Sequence, residues 1–459
     1  MQMWRTVVLG CVLGMNALCA SAQGVSAEIG LGETSGKLGA TADLSNAPRV
    51  TIDRPKPTFM LSERNKRVHG FKPFQDLVDA APIGSVLRPP AGNYAGPVVL
   101  KKPLTIEGKG LVTIDAGDRG TVFIVQSNNV TLRGIHLTGS GSDHDTDDSA
   151  LDIRGHNNVI ENLVIDNCLF GIDLKQSNNN ILRGNKIKSK EVALGVRGDA
   201  IRLWYSNNNL IENNLITDSR DTVAWYSHRN IFRGNEGHRS RYSLHFMFAN
   251  NNLVENNRFF DNSVGIYFMY MEGGGARNNL ISHATGASGM ALGFKESSDI
   301  FIENNDLIYN AVGVGSDLSP FQPNTKIRFK GNRFAYNGIG VQVTSDLGGN
   351  DFKDNTFEGN ITDFTQSGRG AGTRNTWSGN YFDSYQGFDK NKDGLGDTPY
   401  EQYAFADQIW MEIPAASFFK VSPVLELLNF LERLAPFSAP DLQLKDAKPR
   451  YLKPQRTTP

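Results

Sequence analysis

Cysteine is almost missing from this 459-residue chain, which contains only three. Cys11 and Cys19 lie in an N-terminal segment that is expected to be removed, which leaves Cys168 alone. No internal disulfide can then form, and a buried apolar thiol is the expected role of Cys168. An excess of charge is also missing, because the formal net charge is −1. This balance excludes the basic footprint of a nucleic-acid-binding protein.

Residues 1–22 have a basic start at Arg5, then an apolar run, and end in small residues. This pattern predicts a cleaved export signal and a periplasmic protein rather than a membrane span. A lipoprotein anchored through Cys19 is the alternative, but Leu18 before it is a poor match to that motif. Residues 23–75 are rich in Gly, Ser, Ala and Pro and are expected to be partly disordered.

An internal repeat organises the central part of the chain. Leu244–Met247 (LHFM) returns 22 positions later as Ile266–Met269 (IYFM), and Asn256–Asn257 returns as Asn278–Asn279. A fixed offset of this size indicates stacked structural units that share one core. The pattern is β-rich and has no helical period. It therefore predicts an all-β fold, a right-handed parallel β-helix with asparagines at its turns.

The β-helix is expected to occupy residues 76–386, followed by a calcium-like loop at 387–400 and a C-terminal helix and docking tail at 401–459. About eleven coils are expected between Val98 and Tyr381, with Phe74–Val86 as a short helical cap. The predicted interior consists of Leu203, Leu244, Phe246, Ile266, Phe268, Leu292, Phe294 and Cys168.

Alternation along the strands sends the other side chains to an outer face. Counting back from the asparagines aligns Trp204, Trp225, Met247 and Met269 in one outer row, beside a row of Arg202, Val223, His245 and Tyr267, with Met271 two residues further along. Thioether and imidazole groups together suit Cu(I), and an indole face can add a cation–π attraction. The alternative is an apolar stripe that is covered by a loop or a partner protein.

A second candidate is a calcium loop. Oxygen ligands at alternate positions around a glycine would come from the side chains of Asp389, Asn391, Asp393 and Asp397 and from the carbonyl of Leu395. The glutamate expected at position twelve is replaced by Tyr400. A plain acidic turn is the alternative. The acidic loop at residues 143–148 is expected to be a solvated turn, with a weak metal site or an acid–base cluster as its alternatives.

The segment Phe418–Arg433 predicts an amphipathic helix that is too short and too charged to span a bilayer. Its apolar side caps the core or docks on a partner through Leu427, Leu428, Phe430 and Leu431.

These residues together resemble the NosD family, within the broad group of carbohydrate-binding and sugar-hydrolase β-helix repeats. The matching segments are GDAIRLWYSNNNLIENN from Gly198, DTVAWYS from Asp221, RYSLHFMFANNN from Arg241, VGIYFMYM from Val264, GMALGFKESS from Gly289, DLSP from Asp317, GFDKNKDGLGDTPY from Gly387 and VSPVLELLNFLERLAPFSAP from Val421. The asparagine repeats occur in many β-helices, whereas the HFM and FMYM segments and the LAPFSAP tail are specific.

The resemblance implies a non-catalytic periplasmic protein that helps to mature the copper centres of nitrous oxide reductase. The implied partners are an ABC-type ATPase and its membrane permease, a copper chaperone and the reductase, with membrane attachment through the permease. Against that background His245, Met247, Met269 and Met271 are the expected ligands of a transient Cu(I), with Trp204, Trp225 and Tyr267 in a partner-binding surface. The rival classes are a polysaccharide lyase or epimerase and a scaffold without metal.

Overall fold

The structure is a computed structural model. It describes residues 68, 70–345, 347–367, 374–404, 422, 423, 427, 430, 431 and 441–455. The expected export signal, most of the N-terminal segment and the docking residue Leu428 lie outside the described residues.

The chain winds into a right-handed parallel β-helix of about 13 turns, as predicted. Each turn contributes short strands to three faces. Face 1 is one continuous sheet of twelve parallel strands. Numbered in chain order, its strands are β4 (Val98–Leu100), β6 (Phe123–Val125), β8 (Ser149–Ile153), β11 (Phe170–Lys175), β14 (Ile201–Trp204), β17 (Asp221–Trp225), β20 (Tyr242–Met247), β23 (Val264–Met269), β26 (Met290–Lys295), β29 (Val312–Asp317), β32 (Ile339–Val343) and β35 (Thr362–Gln366).

Faces 2 and 3 share the long strands β5 (Thr105–Asp115) and β7 (Thr131–Thr138). Face 2 adds β2 (Val86–Leu87), β9 (Val159–Glu161), β12 (Ile181–Arg183), β15 (Leu210–Glu212), β18 (Ile231–Arg233), β21 (Asn252–Glu255), β24 (Gly274–Arg277), β27 (Phe301–Glu303), β30 (Ile327–Lys330), β33 (Asn350–Lys353) and β36 (Thr376–Ser378). Face 3 adds β1 (Lys72–Pro73), β3 (Gly92–Ala95), β10 (Val164–Cys168), β13 (Lys186–Ser189), β16 (Leu215–Thr217), β19 (Glu236–His238), β22 (Arg258–Phe260), β25 (Leu280–Ser282), β28 (Asp306–Ile308), β31 (Arg333–Ala335), β34 (Thr356–Glu358) and β37 (Tyr381–Phe382).

The solenoid has more turns than the eleven expected. Face 1 alone has twelve strands from Val98 onward, and β3, which pairs with β1 and with β5, adds further pairing before Val98. A helix, α1 (Phe74–Ala80), covers this end with buried Phe74 and Val78; it is shorter than the predicted cap, because Val86 already lies in β2. A 3₁₀ turn, Leu194–Val196, lies in the loop between β13 and β14.

Aligned apolar side chains fill the interior between the three faces. All eight residues that were predicted to be inside are buried. The rings of Phe246, Phe268 and Phe294 stack along the axis with centroids 5.5 and 5.2 Å apart. Burial raises the pKa of the Cys168 thiol to about 12, so this cysteine is an inert core residue.

Inward asparagines hold the corner between faces 2 and 3. Each side-chain oxygen accepts the backbone and side-chain N–H groups of the asparagine one coil earlier, as at Asn214 and Asn235 (3.0 and 2.9 Å). This ladder satisfies polar groups that would otherwise be buried without partners. It runs through Asn185, Asn214, Asn235, Asn257, Asn279, Asn305, Asn332, Asn355 and Asn380.

The C-terminal tail completes this core, contrary to the expectation that residues 401–459 form only a helix and a docking tail. Strand β38 (Tyr400–Ala404) pairs antiparallel with β39 (Asp441–Asp446). The carboxylate of Asp446 accepts both N–H groups of Asn380 at 2.9 Å and so ends the ladder. Leu444 is fully buried. No helix in the described part of the chain is long and apolar enough to cross a membrane.

Candidate functional site

The outer side of face 1 carries the two rows that the sequence predicted. The strand register aligns Trp204, Trp225, Met247 and Met269 in one row and Arg202, Val223, His245 and Tyr267 in the other. Because parallel strands lie about 4.8 Å apart, each residue neighbours the next member of its row. Met247 and Met269 are therefore adjacent, half-buried thioethers on neighbouring strands.

His245 lies between aromatic rings on this face. Its imidazole stacks on Tyr242 with ring centroids 4.9 Å apart and meets the edge of Tyr267 at 5.9 Å. The buried Nε2 atom has no hydrogen-bond partner. Burial lowers the pKa of His245, so the ring is neutral at pH 7 and has a nitrogen lone pair to offer. An imidazole in this state is ready to act as a ligand.

Met271 does not belong to the outer face, and its prediction as an outer-face ligand is wrong. Its side chain is 1% exposed and lies in the core. The preceding residue, Tyr270, has a left-handed backbone (φ 53°) that turns the chain at the corner. Strand alternation stops at such a turn, so counting two residues on from Met269 gives the wrong side.

Sequence reasoning missed an exposed aromatic stack beside these rows. Tyr205, Tyr226, Phe248 and Tyr270 occupy the corner of four successive coils, with neighbouring centroids 4.9, 5.2 and 4.6 Å apart. All four have left-handed backbones, which are unfavourable for bulky residues. The stacked ring faces cover one another, so the edges face solvent. The available signal was an aromatic residue directly after the outer-row residue in each coil.

A network of charges occupies the earlier coils of face 1. Asp173 is fully buried and pairs with Arg202 (2.6 Å) and Lys175 (3.1 Å). Asp147, from the predicted acidic loop, pairs with the same two cations at 2.8 and 3.1 Å. Asp152 accepts a hydrogen bond from Lys175. The carboxylates are thus held by cations instead of facing open solvent.

The predicted calcium loop is a tight turn at the C-terminal end of the solenoid. The carboxylate of Asp389 accepts the N–H of Gly394 at 2.9 Å, and Asp393 accepts that of Leu395 at 2.8 Å. The loop is tied to the C-terminal segment, since Gly396 donates to the carbonyl of Pro449. Among the described residues no group of three or more His, Cys, Asp or Glu is arranged to hold a metal ion. The donor oxygens suit Ca²⁺, and calcium binding stays a prediction.

The C-terminal helix has described residues at Pro423, Leu427, Phe430 and Leu431. Leu427 and Phe430 are each 56% exposed and Leu431 is 44% exposed. Their spacing places them on one side of a helix. Three large apolar side chains therefore face solvent together.

Two family profiles match the chain. Residues 185–387 match the family described as "Periplasmic copper-binding protein (NosD)". Residues 90–238 match a family of unknown function, DUF1565. The chain is a NosD-like right-handed β-helix protein. The NosD profile covers the outer rows with His245 and Met247, the aromatic corner and the last coils. No curated protein matches the chain.

Solved structures share the fold of this NosD-like chain. The A-module of Azotobacter vinelandii mannuronan C-5 epimerase AlgE6 is 16% identical, with a TM-score of 0.54 over 67% of this chain and 92% of that one. The A-module of the epimerase AlgE4 from the same organism is also 16% identical, with a TM-score of 0.50 over 66% and 94%. Likeness at this level of identity concerns the parallel β-helix alone.

Proposed function

We propose that the chain is a non-catalytic periplasmic component of an ABC-transporter-linked system that matures the copper centres of nitrous oxide reductase. Its outer face around His245 handles Cu(I) as cargo that is passed on to other proteins. The NosD match supports the copper-related and periplasmic parts of this proposal. The ATPase, the permease, the chaperone and the reductase come from the family resemblance.

One observation carries the copper assignment: the Nε2 atom of His245 is buried, neutral and without a hydrogen-bond partner beside two aligned thioethers. A buried polar atom normally has a partner, so an orphan nitrogen calls for an explanation. A soft cation provides one, because imidazole and thioether ligands together favour Cu(I) over harder ions. His245, Met247 and Met269 are the residues that would hold it. Without a thiolate in the set, the ion is held weakly enough to be passed on.

The rival reading, a lyase or an epimerase, has less support. An acid–base mechanism needs a carboxylate or another base within reach of the substrate proton. On the outer side of face 1 the neutral His245 is a base, but Asp173 is fully buried and ion-paired and Asp152 is bonded to Arg154 at 3.1 Å, so neither carboxylate is free to act with it. A test with uronate polymers separates the two readings, because cleavage or epimerisation of the polymer would contradict the non-catalytic proposal.

Two apolar surfaces serve as docking sites in this proposal. The first is the aromatic corner with Trp204 and Trp225, which takes up the copper chaperone next to the ligands of its cargo. Tyr205, Tyr226 and Phe248 are exposed at this corner, and exposed aromatic side chains are enriched where proteins bind one another. The second is the helix side formed by Leu427, Phe430 and Leu431, which docks on the permease.

The test is Cu(I) binding by the mature protein under anaerobic, reducing conditions, with the double variant Met247→Leu/Met269→Leu as the comparison. Leucine roughly conserves the volume of methionine, so folding should survive. We expect the double variant to lose at least about a hundredfold in Cu(I) affinity, since two ligands are removed. Reductase matured beside it should be deficient in copper. Unchanged affinity and full copper loading would contradict the proposal.

A further inference from the structure

A third methionine, Met290, reaches the outer face close to the proposed copper ligands. It pairs with Val264 in the register of face 1, and Val264 pairs with Tyr242. Its sulfur lies 2.9 Å from the position that a Cβ on Gly293 would occupy and 3.1 Å from the corresponding position on Gly315. Both glycines continue the row of His245 and Tyr267. The thioether therefore lies over bare backbone in the ligand row itself.

The two glycines form a depression in the outer surface. Neither has a left-handed backbone, so the turn geometry does not require glycine there. Glycine is required at position 293 for lack of space, because a Cβ there would overlap the ring of Tyr267 and crowd the sulfur of Met290. The ring and the thioether thus share one bare position, as sulfur and aromatic groups favourably do. A side chain at Gly293 would displace both.

We propose that Met290 is a thioether ligand of the copper-handling surface, in the role that the sequence pattern gave to Met271. Gly293 is its positioning residue, because it leaves room for the sulfur and for Tyr267. This inference rests on the proposed function and deepens it. The ring of Tyr267 lies between His245 and Met290, so Met290 extends the soft-metal surface one coil beyond Met269 toward β29.

The chemistry of Met290 restricts what it can bind. A thioether is a soft, uncharged ligand that selects Cu(I) and discriminates against Zn²⁺ and other harder ions. The ring of Tyr267 lies near the same position, and an aromatic ring attracts a cation through its quadrupole. Ag(I), a soft ion of the same charge, is therefore a suitable probe that is not oxidised in air.

The experiment compares Met290→Leu with Met271→Leu in the mature protein. Met271 is buried in the core, so its variant controls for loss of a methionine without loss of a surface thioether. We expect Met290→Leu to weaken Cu(I) and Ag(I) binding at least about tenfold, as removal of a ligand should, and Met271→Leu to leave binding unchanged. With methyl-labelled methionine, Ag(I) should shift the NMR signal of Met290 and not that of Met271.

Gly293→Ala tests the positioning role without removing any ligand. It should weaken Ag(I) binding and move the methyl signal of Met290. Gly195→Ala, at a position with nothing within 4 Å of the new methyl group, should change neither. The inference is overturned if Met290→Leu binds as tightly as the unchanged protein while Met247→Leu/Met269→Leu does not. If the unchanged protein binds neither ion, the proposed function itself fails.

Discussion

The outer sides of faces 1 and 2 use the same backbone for opposite purposes. On face 2, Arg and Glu alternate from coil to coil in one row of Arg88, Glu107, Arg133, Glu161, Arg183, Glu212, Arg233, Glu255 and Arg277. Glu255 bonds to Arg233 and Arg277, both at 2.7 Å. On face 1 the aligned rows carry Trp, Met, His and Tyr, and the buried nitrogens of Trp225 and His245 lack partners.

This difference separates what holds the solenoid together from what it offers to other molecules. The Arg/Glu row satisfies each charge with its neighbours, and slipping one strand by two residues would pair Arg183 with Leu210 instead of Glu212. It therefore fixes the register and leaves little for a ligand. Sites that break such local consistency are where function is expected. Substitutions in the Arg/Glu row, where every charge has a partner, should lower stability. Substitutions in the outer rows of face 1, where buried nitrogens lack partners, should weaken binding.

The largest loss of stability is expected from removing the strand that closes the C-terminal end. Truncation after residue 440 deletes Leu444 and Asp446. The buried leucine contributes about 2–3 kcal/mol, and the two hydrogen bonds to Asp446 contribute about 1 kcal/mol each. We expect the free energy of unfolding to fall by about 4 kcal/mol, measured by urea denaturation.

The segment between β38 and β39 should be dispensable for folding. Ala404 pairs with Asp441, so the two ends of the intervening segment lie next to each other in the sheet. Replacing residues 405–440 with Asn-Gly, which forms a tight hairpin turn, removes Leu427, Phe430 and Leu431 and keeps the cap. This variant should fold, bind Cu(I) normally and no longer co-purify with the permease. Loss of fold here would mean that the helix is part of the core.

A smaller loss of stability should follow from reversing one charge in the Arg/Glu row. Glu255→Arg places three arginines side by side on neighbouring strands and removes two ion pairs of a nearly buried carboxylate. We expect a cost of about 3 kcal/mol with Cu(I) affinity unchanged. Glu296→Arg makes the same change on the face 1 side, where Glu296 is half-buried, and should cost less than about 1 kcal/mol. Equal losses for the two variants would refute the contrast.

The fold was predictable because its signals are local and repeated. Alternation along one strand sufficed to place Leu244 inside and His245 outside. The failures occur where the repeat is irregular. Met271 follows a left-handed tyrosine, which no residue preference indicates. Met290 lies 26 positions after its partner Val264, because a loop is inserted before it. Coil lengths along the asparagine ladders range from 21 to 29 residues, so a fixed count of 22 misses distant neighbours.

For the same reason the Arg/Glu row could not be predicted. Arg183 and Glu212 are 29 positions apart, whereas Arg233 and Glu255 are 22 apart. Charges at such unequal distances show no period in the sequence. The register of the strands is needed before the alternation becomes visible.

A moderate effect is expected at the calcium loop, where the carboxylates of Asp389 and Asp393 accept backbone N–H groups. If Ca²⁺ binds the native state alone, a concentration of ten times Kd stabilises the protein by about 1.4 kcal/mol. Adding a chelator should lower the melting temperature, and Asp393→Ala should abolish that response. Asp351→Ala, on the outer side of β33, is a matched control that should keep it. If neither calcium nor chelator changes the melting temperature, the loop is an acidic turn that does not bind Ca²⁺.

The smallest effect concerns His228, next to the aromatic corner. Its Nδ1 accepts the N–H of Asn250 at 2.9 Å, a role that Asn207 fills one coil earlier through its side-chain oxygen. Burial, with the nearby charge of Arg229, lowers the pKa of His228 below its usual 6.5. A proton on Nδ1 would also remove the acceptor. The folded state therefore resists protonation more than the unfolded state does.

The sign of the pH dependence follows. Below pH 6.5 the unfolded chain binds the His228 proton first, so this histidine contributes stability that is lost as the pH falls. Asp199 and Asp363 have the opposite effect on stability. Burial raises their pKa values to about 6 and about 7, so the folded state binds their protons first and their contribution to stability is lost as the pH rises. The comparison between His228→Asn and the unchanged protein cancels their contribution. Asparagine keeps the acceptor and does not titrate, so the variant should be equally stable at pH 8 and more stable, by less than about 1 kcal/mol, at pH 5.5. Parallel stability curves between those pH values would show that His228 is protonated equally in both states.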